Sequence, residues 1–111
     1  MTLSRKVGNR IKQAKTLNNI GVVHSSLGNQ QQALDFYSQA LPLTRKVGDR
    51  IQQAKTLNNI GVVHSSLGNQ QQALNFYNQA LPLSRQDSDK SIQETTLKNI
   101  GSVYKLLGDK Q

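Results

Sequence analysis

The chain lacks or is poor in several residue types, and each shortage narrows what it can be. It has no cysteine, which excludes disulfides and thiolate metal sites and suits a reducing compartment, so we expect a cytoplasmic location. It has no tryptophan, two phenylalanines and three tyrosines, so platforms for stacking nucleic-acid bases are scarce. Acidic residues are also few. Six Asp and Glu against 14 Lys and Arg give a net charge of +8, which attracts anions of any kind.

Long apolar runs and catalytic motifs are absent as well. No stretch approaches the roughly 18 apolar residues of a membrane span, and the polar, basic start MTLSRKVGNR has no apolar signal core. There is no Gly-x-Gly phosphate loop, no Ser/His/Asp spacing and no Cys/His metal motif. We therefore predict no enzyme activity, no cofactor, no metal and no membrane partner.

What the chain does have is repetition. Residues 3–42 and 43–82 align without a gap and differ at only five positions, and a third, shorter copy follows. A period of 40 residues indicates a repeat array, in which each unit packs on its neighbours. We predict a single repeat-array domain over 1–111, built from units 3–42 and 43–82 and a partial unit 83–111.

Each unit has the pattern of a helix hairpin. From Ile51 to Leu67, apolar residues recur at steps of three and four, as on one face of an amphipathic helix. Asp49 and Asn69 are predicted helix N-caps, and Gly68 a left-handed residue after a helix end.

Prolines fall inside the apolar pattern of both second helices. Helical spacing resumes after Pro42, so we expect a kinked helix that continues to about Val47 rather than a stop at Leu41. After a short helical or extended start, the predicted helices span about 9–27, 30–47, 49–67, 70–86 and 91–107.

The first unit carries L-x-x-I-G-x-x-H from residue 17 and A-x-x-x-Y-x-x-A from residue 33. Both recur one period later and the first half-recurs from residue 97. This resembles the tetratricopeptide repeat, W-x-x-L-G-x-x-Y then A-x-x-x-F. The units are 40 residues rather than 34, and in this respect they resemble the longer repeats of kinesin light chain and of bacterial regulatory proteins. The usual proline between units is missing, because Pro42 and Pro82 come earlier. The resemblance implies an all-α solenoid of about five helices stacked as antiparallel hairpins. Gly21 is expected where the second helix crosses, with Ala33 and Ala40 as its small partners.

In that family the first helix of each hairpin lines the concave face and holds peptides, often through a ladder of asparagines. Matching the motif places the ladder at Asn19, Asn59 and Asn99. Asparagine is a poor mid-helix residue, and an amide suits the reading of a peptide backbone. The alternative, that these amides bond a neighbouring helix, stays open. The predicted peptide-binding residues are Asn18, Asn19, Asn58, Asn59, Asn99, Lys15, Lys55, Ser25 and Ser65.

Other polar residues are given structural roles. His24 and His64 replace the family's tyrosine on the buried face, so we expect them to be packed and hydrogen-bonded. The Arg-Lys pairs at 5–6 and 45–46 are assigned to the last turns of second helices, where cations suit the helix dipole. Arg10 and the equivalent Arg50 do not fit that role and leave a basic edge open.

The favoured function is a protein–protein interaction scaffold that binds a peptide or partner segment, with an acidic partner compatible with the charge. Nucleic-acid or polyanion binding is the alternative. A truncated or designed repeat fragment with no function of its own is a third interpretation. Apolar residues of the last helix also predict self-association through the third unit, by end-to-end stacking or helix exchange.

Overall fold

The described part of the protein is an array of five α-helices. The structure, a computed structural model, describes residues 2–108, with side chains from Arg5 onward, and that part contains no strand. This confirms the predicted all-α fold class. The helices are α1 (Thr2–Ser26), α2 (Gln30–Val47), α3 (Arg50–Ser66), α4 (Gln70–Gln86) and α5 (Lys90–Gly108).

The helices pack in sequence as stacked hairpins. α1 pairs with α2 and α3 pairs with α4, while α2 also packs on α3 and α4 on α5. The first helices of the units (α1, α3, α5) also contact one another along the array, whereas the backbones of the second helices α2 and α4 do not approach each other closely. The first helices therefore form a continuous layer.

A left-handed glycine follows three of the helices, which confirms the prediction made for Gly68. Gly28, Gly48 and Gly68 have φ values of 84°, 71° and 86°, a region that glycine enters without a steric penalty. Ser88 takes the position of Gly48 in the third unit and keeps the left-handed conformation, with φ 55°.

Helix starts follow the prediction only in part. Asp49 caps α3, because its Oδ1 accepts a hydrogen bond of 3.1 Å from the backbone N–H of Gln52. Asn69 stands at the N-cap position of α4, but its side chain makes no capping hydrogen bond. The predicted capping role of Asn69 is therefore wrong, although the helix boundary is correct.

The predicted start of α1 is also wrong. The sequence predicted a helix from about residue 9 after a short separate start, but α1 is one continuous helix from Thr2. Gly8 occupies the register of Gly48 without turning the chain. Gly48 joins two helices that pack on each other, α2 and α3, whereas α1 runs straight through Gly8.

The hairpin crossings are closer than the sequence suggested. A Cβ built at Gly21 would lie 2.7 Å from Cδ1 of Tyr37, and Gly61 faces Tyr77 in the same way. The partner of Gly21 is thus an aromatic ring. The expectation that Ala33 and Ala40 contact Gly21 is not supported by its nearest atoms, although both alanines are fully buried.

Both second helices continue through their prolines, as predicted. α2 contains Pro42 and ends at Val47, and α4 contains Pro82. The buried Thr44 donates its hydroxyl proton to the carbonyl of Leu41 at 2.6 Å, so this hydroxyl is satisfied within its own helix. Among the described helices, none has the length and apolar character needed to cross a membrane.

The central helix α3 is buried on more than its predicted apolar face. Gln52, Thr56 and Asn58 are buried alongside the apolar residues, because α3 contacts helices of its own unit and of both neighbouring units. Leu67 was predicted to join the apolar face but is 51% exposed. It lies just beyond the last helical residue of α3, where its side chain leaves the helix face.

Candidate functional site

A groove of about 250 Å³ opens on the layer of first helices. Residues from α1, α3 and α5 line it, so it exists only because three consecutive first helices lie side by side. Lys55 is the one charged residue in its lining. The lining residues are Asn18, Lys55, Asn58, Asn59, Ser91, Ile92 and Thr95.

The amide of Asn58 has a fixed orientation. Its Nδ2 donates a hydrogen bond of 2.7 Å to Oγ1 of Thr96, and that hydroxyl donates its single proton to the carbonyl of Ile92, also at 2.7 Å. Thr96 can therefore only accept from Asn58. The side chain of Asn58 is 5% exposed, and within the described residues its Oδ1 is buried without a hydrogen-bond partner. A buried acceptor without a partner loses its hydration and gains nothing in return.

A second amide pair joins the first two units. Asn59 donates from Nδ2 to Oδ1 of Asn18 over 3.1 Å, which ties α3 to α1. By the 40-residue period, the equivalent pair in the next unit would join Asn99 to Asn58. No such hydrogen bond forms in residues 2–108. Asn59 of the asparagine ladder is therefore hydrogen-bonded within the array, to Asn18. Asn99 makes no equivalent bond, and Oδ1 of Asn58 has no partner among the described residues.

The remaining predicted site residues lie outside the groove lining. Asn19 and Lys15 are exposed on α1, and Asn99 is half-buried on α5. Ser25 and Ser65 donate their hydroxyl protons to Oε1 of Gln30 and of Gln70, at 3.1 and 2.9 Å, in a repeated contact across the hairpin turn. Of the nine residues, four are brought together: Asn18, Lys55, Asn58 and Asn59.

Three lining residues were missed by the sequence analysis. Ser91, Ile92 and Thr95 belong to the divergent third unit, whereas the analysis followed residues that repeat. By register, Thr95 stands where the second unit has Lys55, so the groove has one cation rather than two. The signal that was available is the divergence itself, because substitutions in one copy of a near-identical repeat mark positions whose surroundings differ.

Both histidines are packed against phenylalanines. The rings of His24 and Phe36 are stacked with centroids 5.3 Å apart, and His64 and Phe76 repeat this geometry. The predicted packing is confirmed, but hydrogen bonding is not general: Nδ1 of His64 is buried without a partner among the described residues. In that same part of the chain, no group of three or more His, Cys, Asp or Glu residues could hold a metal ion.

The basic residues are split between two situations. Arg45 and Lys46 lie in the last turn of α2 as predicted, but Arg5 and Lys6 lie near the start of α1. The dipole explanation is therefore wrong for Arg5 and Lys6, because they lie in the first turns of α1 and not in the last turn of a second helix. Arg50 lies 3.5 Å from Asp87, an exposed ion pair that contributes little to stability.

Stacked helix hairpins at a 40-residue period, with a glycine under a tyrosine at each crossing, define a helical-repeat protein. The family model for the tetratricopeptide repeat matches residues 12–86, and the chain belongs to this family. The predicted resemblance is thereby confirmed. Members of this family are generally protein–protein interaction scaffolds and are typically not enzymes.

Solved structures share this fold. The TPR domain of Arabidopsis FLU has a TM-score of 0.83 and 19% identity, over 90% of this chain and 84% of that domain. BtubC (BKLC) from P. vanneervenii has a TM-score of 0.77 and 25% identity over 86% of this chain. The chain spans only 40% of the length of BtubC. No curated protein sequence is significantly similar to this chain.

Proposed function

We propose that this chain is a scaffold whose layer of first helices binds an extended peptide segment of another protein. The observation that carries the proposal is the groove between three first helices, whose lining includes Asn58, a residue with a buried amide oxygen that has no partner among the described residues. Contacts between successive first helices support the same face, because they make it one continuous layer.

The chemistry of the groove favours a peptide group as the ligand. Asn58 and Asn59 each commit a donor to the array, so their oxygens remain as acceptors. Lys55 lies three residues before Asn58, one turn away on the same side of α3, and supplies donors. A peptide group carries an N–H for Asn58 Oδ1 beside a C=O for the Lys55 ammonium. The net charge of +8 further favours a segment with acidic side chains.

The test is selection of extended peptides from a random library on the immobilised chain, followed by affinity measurement with variants. Asn58→Ala, and Asn19→Ala combined with Asn59→Ala, should each weaken binding at least about fivefold, because polar groups of the bound peptide lose partners. Asn78→Ala is the matched control, since Asn78 is exposed on the second helix α4. Affinity unchanged in folded groove variants would reject this face, and loss of helix content would show that the amides serve the fold.

Polyanion binding is less well supported. The rings of Phe36 and Phe76 are stacked on histidines, and Tyr37 and Tyr77 are buried, so Tyr104 is the aromatic side chain left exposed in residues 5–108. A salt titration separates the two functions, because binding to a phosphate backbone weakens steeply as salt rises. Retention of a selected peptide, with loss of RNA, between low and moderate salt would favour the scaffold.

Self-association through the third unit is part of the same proposal. Its support is that Leu97, Tyr104 and Leu106 are each at least half exposed on α5. Burial of such apolar surface is the main driving force for association. A cytoplasmic location remains a prediction from the sequence.

A further inference from the structure

The chain shows twice how a tyrosine from one helix is seated over a glycine of another. Tyr37 covers Gly21 and Tyr77 covers Gly61, in each case so closely that a single methyl group on the glycine would overlap the ring. The repeat places a third glycine in this register, Gly101 on α5. Within the described part of the chain, nothing lies within 4 Å of a Cβ built there. Gly101 is therefore not covered by a side chain of the described residues, unlike Gly21 and Gly61.

The same face of α5 also carries an exposed aromatic ring. Tyr104 is 58% exposed, and Leu97 beside it is 50% exposed. Leu97, Gly101 and Tyr104 follow at steps of four and three, so they share one face of the helix. Their equivalents in α3 are Leu57, Gly61 and His64, and α4 covers that face through Tyr77 and Phe76. The opposite side of α5 is occupied, because Val103 is buried against α4.

We propose that two copies of the chain pair α5 against α5 about a two-fold axis, each placing its Tyr104 over the partner's Gly101. This inference rests on the proposed self-association and specifies its geometry. A two-fold interface requires that residue i of one copy contact residue j of the other and the reverse. The face of α5 meets that requirement, because it carries both Tyr104 and the uncovered Gly101.

The exposed end of α1 fits the face of α5 less well than a second α5 does. Ile20, Val23 and Leu27 are exposed there, but the glycine of that helix, Gly21, is already covered by Tyr37. A head-to-tail contact between α1 and α5 would therefore leave Tyr104 with no uncovered glycine to pack on. The two-fold pairing covers both copies of Gly101 and buries both copies of Leu97.

The size of the interface predicts a weak dimer. A helix of 19 residues is about 28 Å long and about 10 Å wide, so one helix pair lies at or below the area of about 1,200 Å² that marks weak, transient complexes. Each copy also carries a charge of +8, which opposes association at low salt. The dimer should therefore be sought at tens to hundreds of micromolar protein in about 0.3 M salt.

Sedimentation equilibrium of the full chain tests the geometry. Gly101→Ala should raise the dimer dissociation constant at least about tenfold, because the new methyl group occupies the seat of the ring. Helix content should stay equal or rise, since Gly101 has open surroundings and alanine is the better helix former. Tyr104→Ala should have the same effect on the dimer. Gly8→Ala is the matched control, a helical glycine with equally open surroundings on α1, and should leave the dissociation constant unchanged.

The contrary outcomes are distinct. A wild-type chain that stays monomeric overturns both the geometry and the self-association. It does not affect the proposed peptide groove, which the Asn58→Ala variant tests separately. A dimer that persists in Gly101→Ala, or that is lost only in Leu27→Lys, overturns the geometry and keeps self-association. Gly101-dependent binding of a peptide spanning residues 70–86 to a monomeric chain would show that another helix, rather than a second copy, covers this face.

Discussion

At the scale of single residues, the glycine at one repeated position has two different surroundings in this chain. Gly21 and Gly61 lie under buried tyrosine rings, whereas Gly101 has open space above it. The residue type and the local motif are identical, so the difference comes entirely from the neighbouring helix. Substitution by alanine should therefore have opposite effects at the two kinds of position.

Gly61→Ala should destabilise the fold by about 1–3 kcal/mol, because the added methyl would lie 2.7 Å from Cδ1 of the buried Tyr77. That cost exceeds the helix propensity gained over glycine, about 1 kcal/mol. Gly101→Ala, measured at dilute monomer concentration, should be neutral or stabilising. Urea unfolding followed by circular dichroism measures both variants. Equal free energies of unfolding for both would contradict the contact.

At the scale of elements, the helix starts divide into two kinds. Asp49 and Asp89 cap α3 and α5, each accepting from the backbone N–H three residues later, at 3.1 and 3.0 Å. Asn29 and Asn69 precede the second helices without capping bonds. Turns of both kinds contain a left-handed residue, Gly28 or Gly68 inside a hairpin and Gly48 or Ser88 between units. Only the two turns between units add a side-chain cap, at α3 and at α5.

Asp49→Ala should accordingly lower the free energy of unfolding by about 1 kcal/mol, the usual cost of losing an N-cap. Asn69→Ala is the comparison at the equivalent helix position and should change stability by less than about 0.5 kcal/mol, because no capping bond is lost. Thermal unfolding of the two variants side by side gives the difference. A larger loss for Asn69→Ala would mean that its amide caps α4 in solution.

At the scale of the whole molecule, two buried tyrosines link stability to alkaline pH. Desolvation by burial raises the pKa of Tyr77 from 10.0 to about 12, and burial raises the pKa of Tyr37 as well. The folded state thus holds these protons more tightly than the unfolded state. Their contribution to stability is fully present below about pH 10 and is lost as the pH rises toward 12.

The stability of the wild type should therefore fall more steeply between about pH 10 and pH 12 than that of a Tyr37→Phe, Tyr77→Phe double variant. The double variant keeps both rings over their glycines but removes the ionisable hydroxyls. Urea midpoints at several pH values measure the two slopes, and titration of the lysines contributes equally to both proteins. Parallel slopes would show that these hydroxyls are not desolvated.

Much of this architecture follows from the sequence alone. The 40-residue period, the apolar spacing and Gly28, Gly48 and Gly68 are local signals, because each depends on a chain segment that repeats itself. They predicted five helices, helices that run through Pro42 and Pro82, and the position of nearly every turn. The motif containing Gly21 and Gly61 predicted a close helix crossing, and a single ring at each crossing confirms it.

Tertiary structure decided what identical residues do at different places in the array. Asn58 and Asn59 repeat Asn18 and the residue after it, yet Asn58 bonds Thr96 of the divergent third unit and is left with an unpartnered oxygen. The same motif also behaves differently at Gly8 and Gly48, since α1 runs through Gly8 whereas α2 ends before Gly48. A repeated sequence fixes local conformation equally in every unit. Burial, hydrogen-bond partners and the space above each glycine depend on the neighbouring helices, which differ from unit to unit among the described residues.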